Sequence, residues 1–443
     1  MKKEWLLFLA SGTLTIGVAL LLIRWLAPGL LGVPVDLQMV QVEKKVPPFF
    51  DNVFRQEDWE SDRFILQDPV SKIRAHPLIV DTGDMGPHDI LGFRSRETPY
   101  TADVITIGDS QTYGVNVQMD FNWPSTLRKR LEATREISVY NMSVGGWTAI
   151  QYFYIFKYAL RLAPRIVVVA FYSGNDPLES FTLAYGSDVW KEFRLDPGLD
   201  KSDAPKVEFP PPESDQWRVT FSDDITTTFA PKLRLTSNLD HPAPETGWKI
   251  LALVAKKISE LAATSNVQVV YTIIPTKELV YADKIAAEGI AAPEEYTQLV
   301  TREQRNIDWL REQILALSGA HFVDVLQPLQ MLAKMPAKIY PQNINGHPVH
   351  DGYYAIGAII SKHLEQILPP AIKGLAKGKS AQMNEPEFFL VREKRYWRFA
   401  SRDIAEANGW DTTAAIPSLT GRDVALFEYM GMISTVDKKQ FGP

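Results

Sequence analysis

The chain has 443 residues, of which 45% are hydrophobic and 23% charged, with a net charge of −6. This composition suits a globular protein with room for one large core or two smaller ones, and the acidic balance gives no footing to nucleic-acid binding. Cysteine is absent, which excludes a disulfide framework, a cysteine metal site and a thiol nucleophile.

Trp5 to Ile23 is a run of nineteen residues without a charge, preceded by Lys2 and Lys3. Such a run is long enough to span a bilayer and longer than the apolar core of a signal peptide. Trp5 and Trp25 stand where interfacial aromatics belong, and Ala27-Pro28-Gly29-Leu30 offers no small-x-small cleavage site. The expectation is a cytoplasmic stub at 1–4 and a single uncleaved transmembrane signal anchor at 5–26. The rest of the chain would then lie on the periplasmic side of the inner membrane, as Lys2 and Lys3 dictate. Residues 27–98, with Pro47-Pro48, a charged patch at Arg55 to Arg63, and Pro77, read as a connector.

Asp103 to Gly114, DVITIGDSQTYG, is the organising stretch. Val104 to Ile107 is a β-branched run suited to a buried strand, Gly108 ends it, and Ser110 stands at the strand's carboxyl end, where open α/β sheets bind ligands. Pro124-Ser125 open a helix with Trp123, Leu127 and Leu131 on one face. A second strand, Ile137 to Tyr140, ends in Asn141-Met142-Ser143-Val144-Gly145-Gly146. An aromatic helix from about Thr148 to Leu162 reads as core rather than a sugar platform. A third strand, Arg165 to Phe171, ends in Ser173-Gly174-Asn175-Asp176.

From Leu178 to Glu245 the periodicity lapses, and a stretch of that length inside a domain is functional or unstructured. It follows directly on Asn175-Asp176, so it is expected to wall or partly cover the site. The rhythm returns with a helix near Trp248 to Ala263, a strand Val267 to Ile274, a helix from about Glu294 to Leu317, a strand Phe322 to Val325, and a last helix Asp351 to Ile367. Five strands alternating with helices predict a parallel sheet covered on both faces. After residues 371–385, read as a linker, residues 386–443 read as a small accessory module.

Ser110 can be a nucleophile and His347 its base, since imidazole titrates near neutrality. The amides of Ser110 and Gly146 and the side chain of Asn175 can donate to a developing oxyanion. Asp109 supports the turn. His350, three residues beyond His347, reads as a rim or N-cap residue. Lys277-Glu278 after the fourth strand reads as an ion pair on a loop, with substrate contact by Lys277 as the alternative.

Gly108-Asp109-Ser110 with Thr112 and Gly114, Gly146 after Asn141, Gly174-Asn175-Asp176, and His347-Pro348 with Gly352 resemble, in order, the motifs of the SGNH hydrolase (GDSL esterase) family over roughly 91–368. The resemblance implies a flavodoxin-like three-layer α/β/α sandwich with a five-stranded parallel sheet at 99–370, and ester hydrolysis or acyl transfer without metal or cofactor. Family members usually place an Asp two or three residues before the histidine; here Ile344 and Asn345 stand instead. Asn345 brings no charge to an imidazolium, and a backbone carbonyl can fix the ring's tautomer. The functional expectation is a membrane-anchored serine esterase or O-acyltransferase acting on acyl, foremost acetyl, esters of envelope carbohydrate. Its expected partners are an acylated polysaccharide or other ester, the membrane, and a membrane acyltransferase. The alternatives are a lipase or lysophospholipase, and an envelope scaffold with a silent site.

Overall fold

The computed structural model describes residues 65–83, 85–135, 137–206, 208–368, 374–379, 386–392, 395–414 and 428–443. The stub, the anchor and the connector as far as residue 64 lie outside the described residues. Among the described residues no helix is long and apolar enough to cross a membrane.

The described chain opens with an antiparallel hairpin, β1 (Ile65–Asp68) and β2 (Lys72–Ala75). The Asp68 carboxylate holds its turn by accepting from the amides of Val70 (2.9 Å) and Ser71 (2.6 Å). The central sheet is built from β3 (Val104–Ile107), β4 (Val139–Asn141) and β5 (Ile166–Tyr172). A second hairpin, β6 (Trp217–Thr220) and β7 (Thr226–Phe229), intervenes before the last two strands of the sheet, β8 (Gln268–Ile274) and β9 (Ala320–Val323). The sheet has five strands in the order β4-β3-β5-β8-β9, all parallel. In chain order this is 2-1-3-4-5, the flavodoxin-like winding, whose ligand crevice lies at the carboxyl ends of its first and third strands. Every residue of β3 and β5 is buried, which is why both read as unbroken apolar runs.

The helices of the domain are α1 (Ser110–Tyr113), α2 (Trp123–Glu132), α3 (Ala149–Ala159), α4 (Asp176–Gly186), α5 (Pro231–Leu235), α6 (Pro242–Thr264), α7 (Lys277–Val280), α8 (Ala282–Ala287), α9 (Glu294–Leu315), α10 (Leu326–Ala333) and α11 (His350–Ile367). Helix α2 packs on α11, while α3, α4 and α9 pack on α6. Right-handed crossovers place these two groups on opposite faces of the sheet.

Three segments differ from the sequence reading. The stretch 178–245 is largely regular: it contains most of α4, the β6–β7 hairpin, α5 and the start of α6. Helix α6 begins at Pro242, with the His241 Nδ1 accepting from the Ala243 amide at 3.3 Å. The prolines at 177, 242 and 244 occupy first turns, where no amide is needed. From residue 65 the connector is part of the domain. Buried Arg94 donates to the carbonyls of Gly86 (2.8 Å), Gly114 (2.5 Å) and Val117 (2.8 Å), and so clamps the chain beyond α1. The presumed linker holds β10 (Gly374–Lys379), the first strand of a four-stranded sheet with β11 (Pro386–Arg392), β12 (Arg395–Phe399) and β13 (Glu428–Ile433). Its GLAKGK composition hides a strand because Leu375 and Ala376 are its only apolar side chains, one packed into each of two small clusters.

Candidate active site

Strand β3 delivers the chain to Gly108, where a Cβ would meet the Thr112 hydroxyl at 2.1 Å and the Ala170 carbonyl at 3.0 Å, so only glycine fits. Asp109 then caps α1: its carboxylate accepts from the Gln111 amide at 2.9 Å. It is fully buried, and burial pushes its carboxyl up to about 7. Ser110, the first residue of α1, is half-buried.

Ser110 meets His347 directly, with Oγ and Nε2 2.7 Å apart. The other ring nitrogen, Nδ1, lies 2.7 Å from the Asn345 Oδ1. The amide orientation follows from the backbone. The His347 N–H can only donate, and it donates to Asn345 Oδ1 at 3.0 Å. The His347 carbonyl can only accept, and it takes the Asn116 Nδ2 at 3.0 Å, which leaves Asn116 Oδ1 to accept from Asn345 Nδ2 at 2.8 Å. Every bond in this ring agrees that Asn345 presents oxygen to the histidine. Nδ1 therefore carries the proton, Nε2 keeps its lone pair, and the Ser110 hydroxyl donates to it. The reading of a backbone carbonyl as orienter is thus corrected: the Asn345 side chain itself fixes the tautomer.

Burial, and secondarily the Arg234 guanidinium, lower the His347 pKa to about 3. The ring is held as the neutral base. A carboxylate at 345 would oppose that lowering, and an amide does not.

Lys277 corrects another reading. It is fully buried rather than paired on a loop, and its Nζ donates to the Asn343 carbonyl at 2.6 Å. Asn343 in turn accepts from the Asn345 amide at 3.0 Å, so Lys277 anchors the segment that carries the orienter. Burial lowers its pKa to about 8. The neighbouring Glu278 accepts from the Ala230 amide at 3.0 Å.

Opposite the histidine, the segment after β4 turns at Gly145-Gly146. A Cβ on Gly145 would lie 3.7 Å from the Ser110 Cβ, and Gly146 has φ +81°, the left-handed region. The amides of Ser110 and Gly146 have no hydrogen-bond partner among the described residues. Strand β5 ends at Ser173-Gly174-Asn175. Asp176 fixes this turn by accepting from the Tyr172 amide (2.9 Å) and the Tyr152 hydroxyl (3.0 Å), and burial raises its pKa well above the carboxylate range. Buried Glu303 ties the ends of β5 and β8 together through Ser173 Oγ (2.6 Å) and the Thr276 amide (2.8 Å). Asn175 borders the same cavity as Gly146 and His347, with Glu179 as its hydrogen-bonding neighbour.

The structure thus brings Ser110, Asp109, His347, Asn345, Gly146 and Asn175 to one edge of the sheet. His350 lies outside: it opens α11, is exposed, pairs with Asp351 at 3.1 Å and packs edge-on against Phe121 at 5.0 Å. In the aromatic helix, Tyr152, Phe153 and Phe156 are buried, in keeping with a packing role.

A cavity of about 1020 Å³ opens beside this edge. Its floor includes Gly146, Asn175, Asn345 and His347. Its walls come from β2 (Lys72, Ile73), α4 (Leu178, Glu179, Leu183), from Lys201, Ala204, Pro205 and Phe209, and from α5 (Leu233, Arg234). The segment 178–245 contributes Leu178, Glu179, Leu183, Leu233 and Arg234 to this lining. The hairpin wall and Asn116 were not legible. Asn116 has φ +77°, a conformation in which asparagine is over-represented, but one asparagine after Gly114 is no signal alone. Among the described residues no group of acidic or histidine side chains could hold a metal ion.

No family model matches this sequence, and no curated protein matches it. Solved structures do. One is a member of the lipolytic protein G-D-S-L family from Veillonella parvula, at 12% identity and a TM-score of 0.35, covering 59% of this chain and 98% of that one. Another is a GDSL-like lipase from Bacteroides thetaiotaomicron, at 15% identity and a TM-score of 0.31, covering 60% and 88%. A third is an acetylxylan esterase from Geobacillus stearothermophilus, at 11% identity and a TM-score of 0.34, covering 61% and 95%.

Proposed function

We propose that this chain is a serine esterase or O-acyltransferase that works through an acyl-Ser110 intermediate. The observation that carries the reading is the relay Ser110 Oγ–His347 Nε2 and His347 Nδ1–Asn345 Oδ1, at 2.7 Å each. His347 Nε2 takes the Ser110 proton as Oγ attacks the ester carbonyl. The amides of Ser110 and Gly146 and the Asn175 side chain receive the oxyanion. As the tetrahedral intermediate collapses, His347 returns the proton to the leaving alcohol. A water or a sugar hydroxyl then enters by the same route, which yields hydrolysis or transfer. The Asn345 carbonyl orients the ring throughout, as an asparagine does in cysteine-protease triads.

The uncharged run at Trp5 to Ile23 supports an anchored protein whose site faces the periplasm, and from there the reading extends to acylated, foremost acetylated, envelope carbohydrate. A second reading, a lipase or lysophospholipase, is favoured by one observation: Ile73, Leu178, Leu183, Leu233 and Phe209 give the cavity an apolar wall. Acyl chain length separates the two. Full-length protein in detergent would be assayed on 4-nitrophenyl acetate, octanoate and palmitate, and on acetylated oligosaccharide with and without an acceptor sugar. Preference for acetyl esters supports the carbohydrate reading, and appearance of acetylated acceptor identifies transfer. A rate that climbs with chain length favours the lipase. No turnover of any ester, with no fluorophosphonate adduct, refutes an enzyme.

A further inference from the structure

Resting on that reading, we infer that the ester substrate is anionic, and that Arg234, with Lys201 and Lys72, binds the negative groups of an acylated acidic saccharide. Among the residues lining the cavity, three are cations, Lys72, Lys201 and Arg234, and one is a carboxylate, Glu179. This excess of positive charge stands in a chain whose net charge is −6. None of the three cationic groups has a hydrogen bond or ion pair among the described residues, although 47 lysines and arginines share the chain with 53 aspartates and glutamates.

Arg234 is the best placed. Helix α5 is pinned to the end of β5 by the Asn238 side chain, whose Nδ2 donates to the Ser173 carbonyl at 3.2 Å. The half-buried guanidinium lies 5.9 Å from the centre of the Tyr172 ring. A side chain at Gly346 would meet it at 2.9 Å, so its fork sits one residue from the catalytic histidine. A planar fork held against a ring, with its donors unused, is a site for a carboxylate or phosphate.

The other two cations argue against a single headgroup. Lys72 stands beside Ile73, whose Cδ1 would lie 2.9 Å from a Cβ on Gly146. Lys201 lies along Gly186, at the far end of α4 from Asn175, with its Cδ 3.1 Å from a Cβ there. A helix of that length puts Lys201 about 15 Å from the oxyanion side. Positive groups at both ends of the cavity suit a chain that repeats its negative charges.

The test separates binding from turnover. Full-length Ser110→Ala protein would be titrated calorimetrically with an unacylated oligogalacturonate, a neutral xylo-oligosaccharide of equal length, and glycerol 3-phosphate. The oligogalacturonate should bind at least about tenfold more tightly than the neutral sugar. Adding Arg234→Met should remove most of that margin, and Arg234→Lys should keep part of it. If Arg234→Met does not fold, the margin of the Ser110→Ala protein should itself shrink as salt is raised from about 0.05 to 0.5 M. Equal binding of the charged and neutral sugars, or a margin indifferent to both Arg234 and salt, overturns the proposal. Binding of glycerol 3-phosphate but not of oligogalacturonate overturns the saccharide in favour of a lipid headgroup. Because the titration needs no turnover, a failure of the esterase reading would show separately, as wild-type protein that forms no fluorophosphonate adduct.

Discussion

On one side, Ser110, Gly146 and Asn175 stand on the turns that follow β3, β4 and β5; on the other, Lys72, Lys201 and Arg234 line the cavity from a hairpin, a loop and a short helix outside the central sheet. The first side is fixed by the buried sheet. Asp109 and Asp176, both fully buried, cap or tie its turns, and each turn contains a glycine that a larger residue would push out of place. The second side is held by bonds such as Asn238–Ser173 and the Asp68 turn. In the proposed enzyme, chemistry that tolerates little displacement is built on the strand ends, and selection among substrates is left to elements that can vary without disturbing it.

The largest expected effects fall on the rigid side. Ser110→Ala should lower kcat by roughly 10⁴-fold or more, with the thermal midpoint unchanged because the side chain fills no core space. An esterase rate within tenfold of the parent would exclude Ser110. Asn345→Ala should cost about 10²-fold, since the ring loses its tautomer and its aim. Asn345→Asp tests the same bond by charge. A carboxylate beside Nδ1–H favours the imidazolium and raises the histidine pKa, so the acid limb of kcat/KM should move to higher pH. In the parent, burial keeps His347 near 3. Its neutral form then persists far below the usual 6.5, and activity should stay level on acidification until pH falls toward that range. A parent acid limb near 6.5 would show that the ring is solvated.

Smaller effects sharpen the contrast. Asn116→Gly keeps the left-handed backbone while deleting the amide that orients Asn345. A loss of about tenfold in kcat, with KM little moved, is expected for a positioning residue, and no loss would break the hydrogen-bond ring as drawn. On the variable side, excising all of 178–245 would remove buried Trp190, Phe193 and Phe229. Replacing only 197–209 by a short Gly/Ser connector should spare fluorophosphonate labelling while lowering kcat/KM on a large ester by about tenfold. Equal loss on both probes would make the loop structural. His350→Ala should change activity by less than about twofold.

The same division explains what could be read from sequence. The five strands were legible because buried parallel strands are largely apolar runs, and β3, β4 and β5 lead into glycine-marked turns; the winding order was implied only by the family resemblance. The orienting role of Asn345 was not, because an amide's function depends on which atom faces the ring, and that is set by Asn116, 229 residues away. Lys277 looked like a loop residue because lysine is so seldom buried, yet its contact with Asn343 is what places Asn345. The β1–β2 hairpin, β10 and the start of α6 were hidden by short length, glycine and proline.

The central claim is that Ser110, activated by a neutral His347, is the group that takes the acyl chain. Peptide-mapped mass spectrometry of the full-length protein after a timed exposure to a fluorophosphonate tests it most directly. An adduct on the peptide containing Ser110, abolished in Ser110→Ala and slowed by about 10²-fold or more in His347→Ala, is the expected result. An adduct on another residue, or a rate unchanged by His347→Ala, would contradict it.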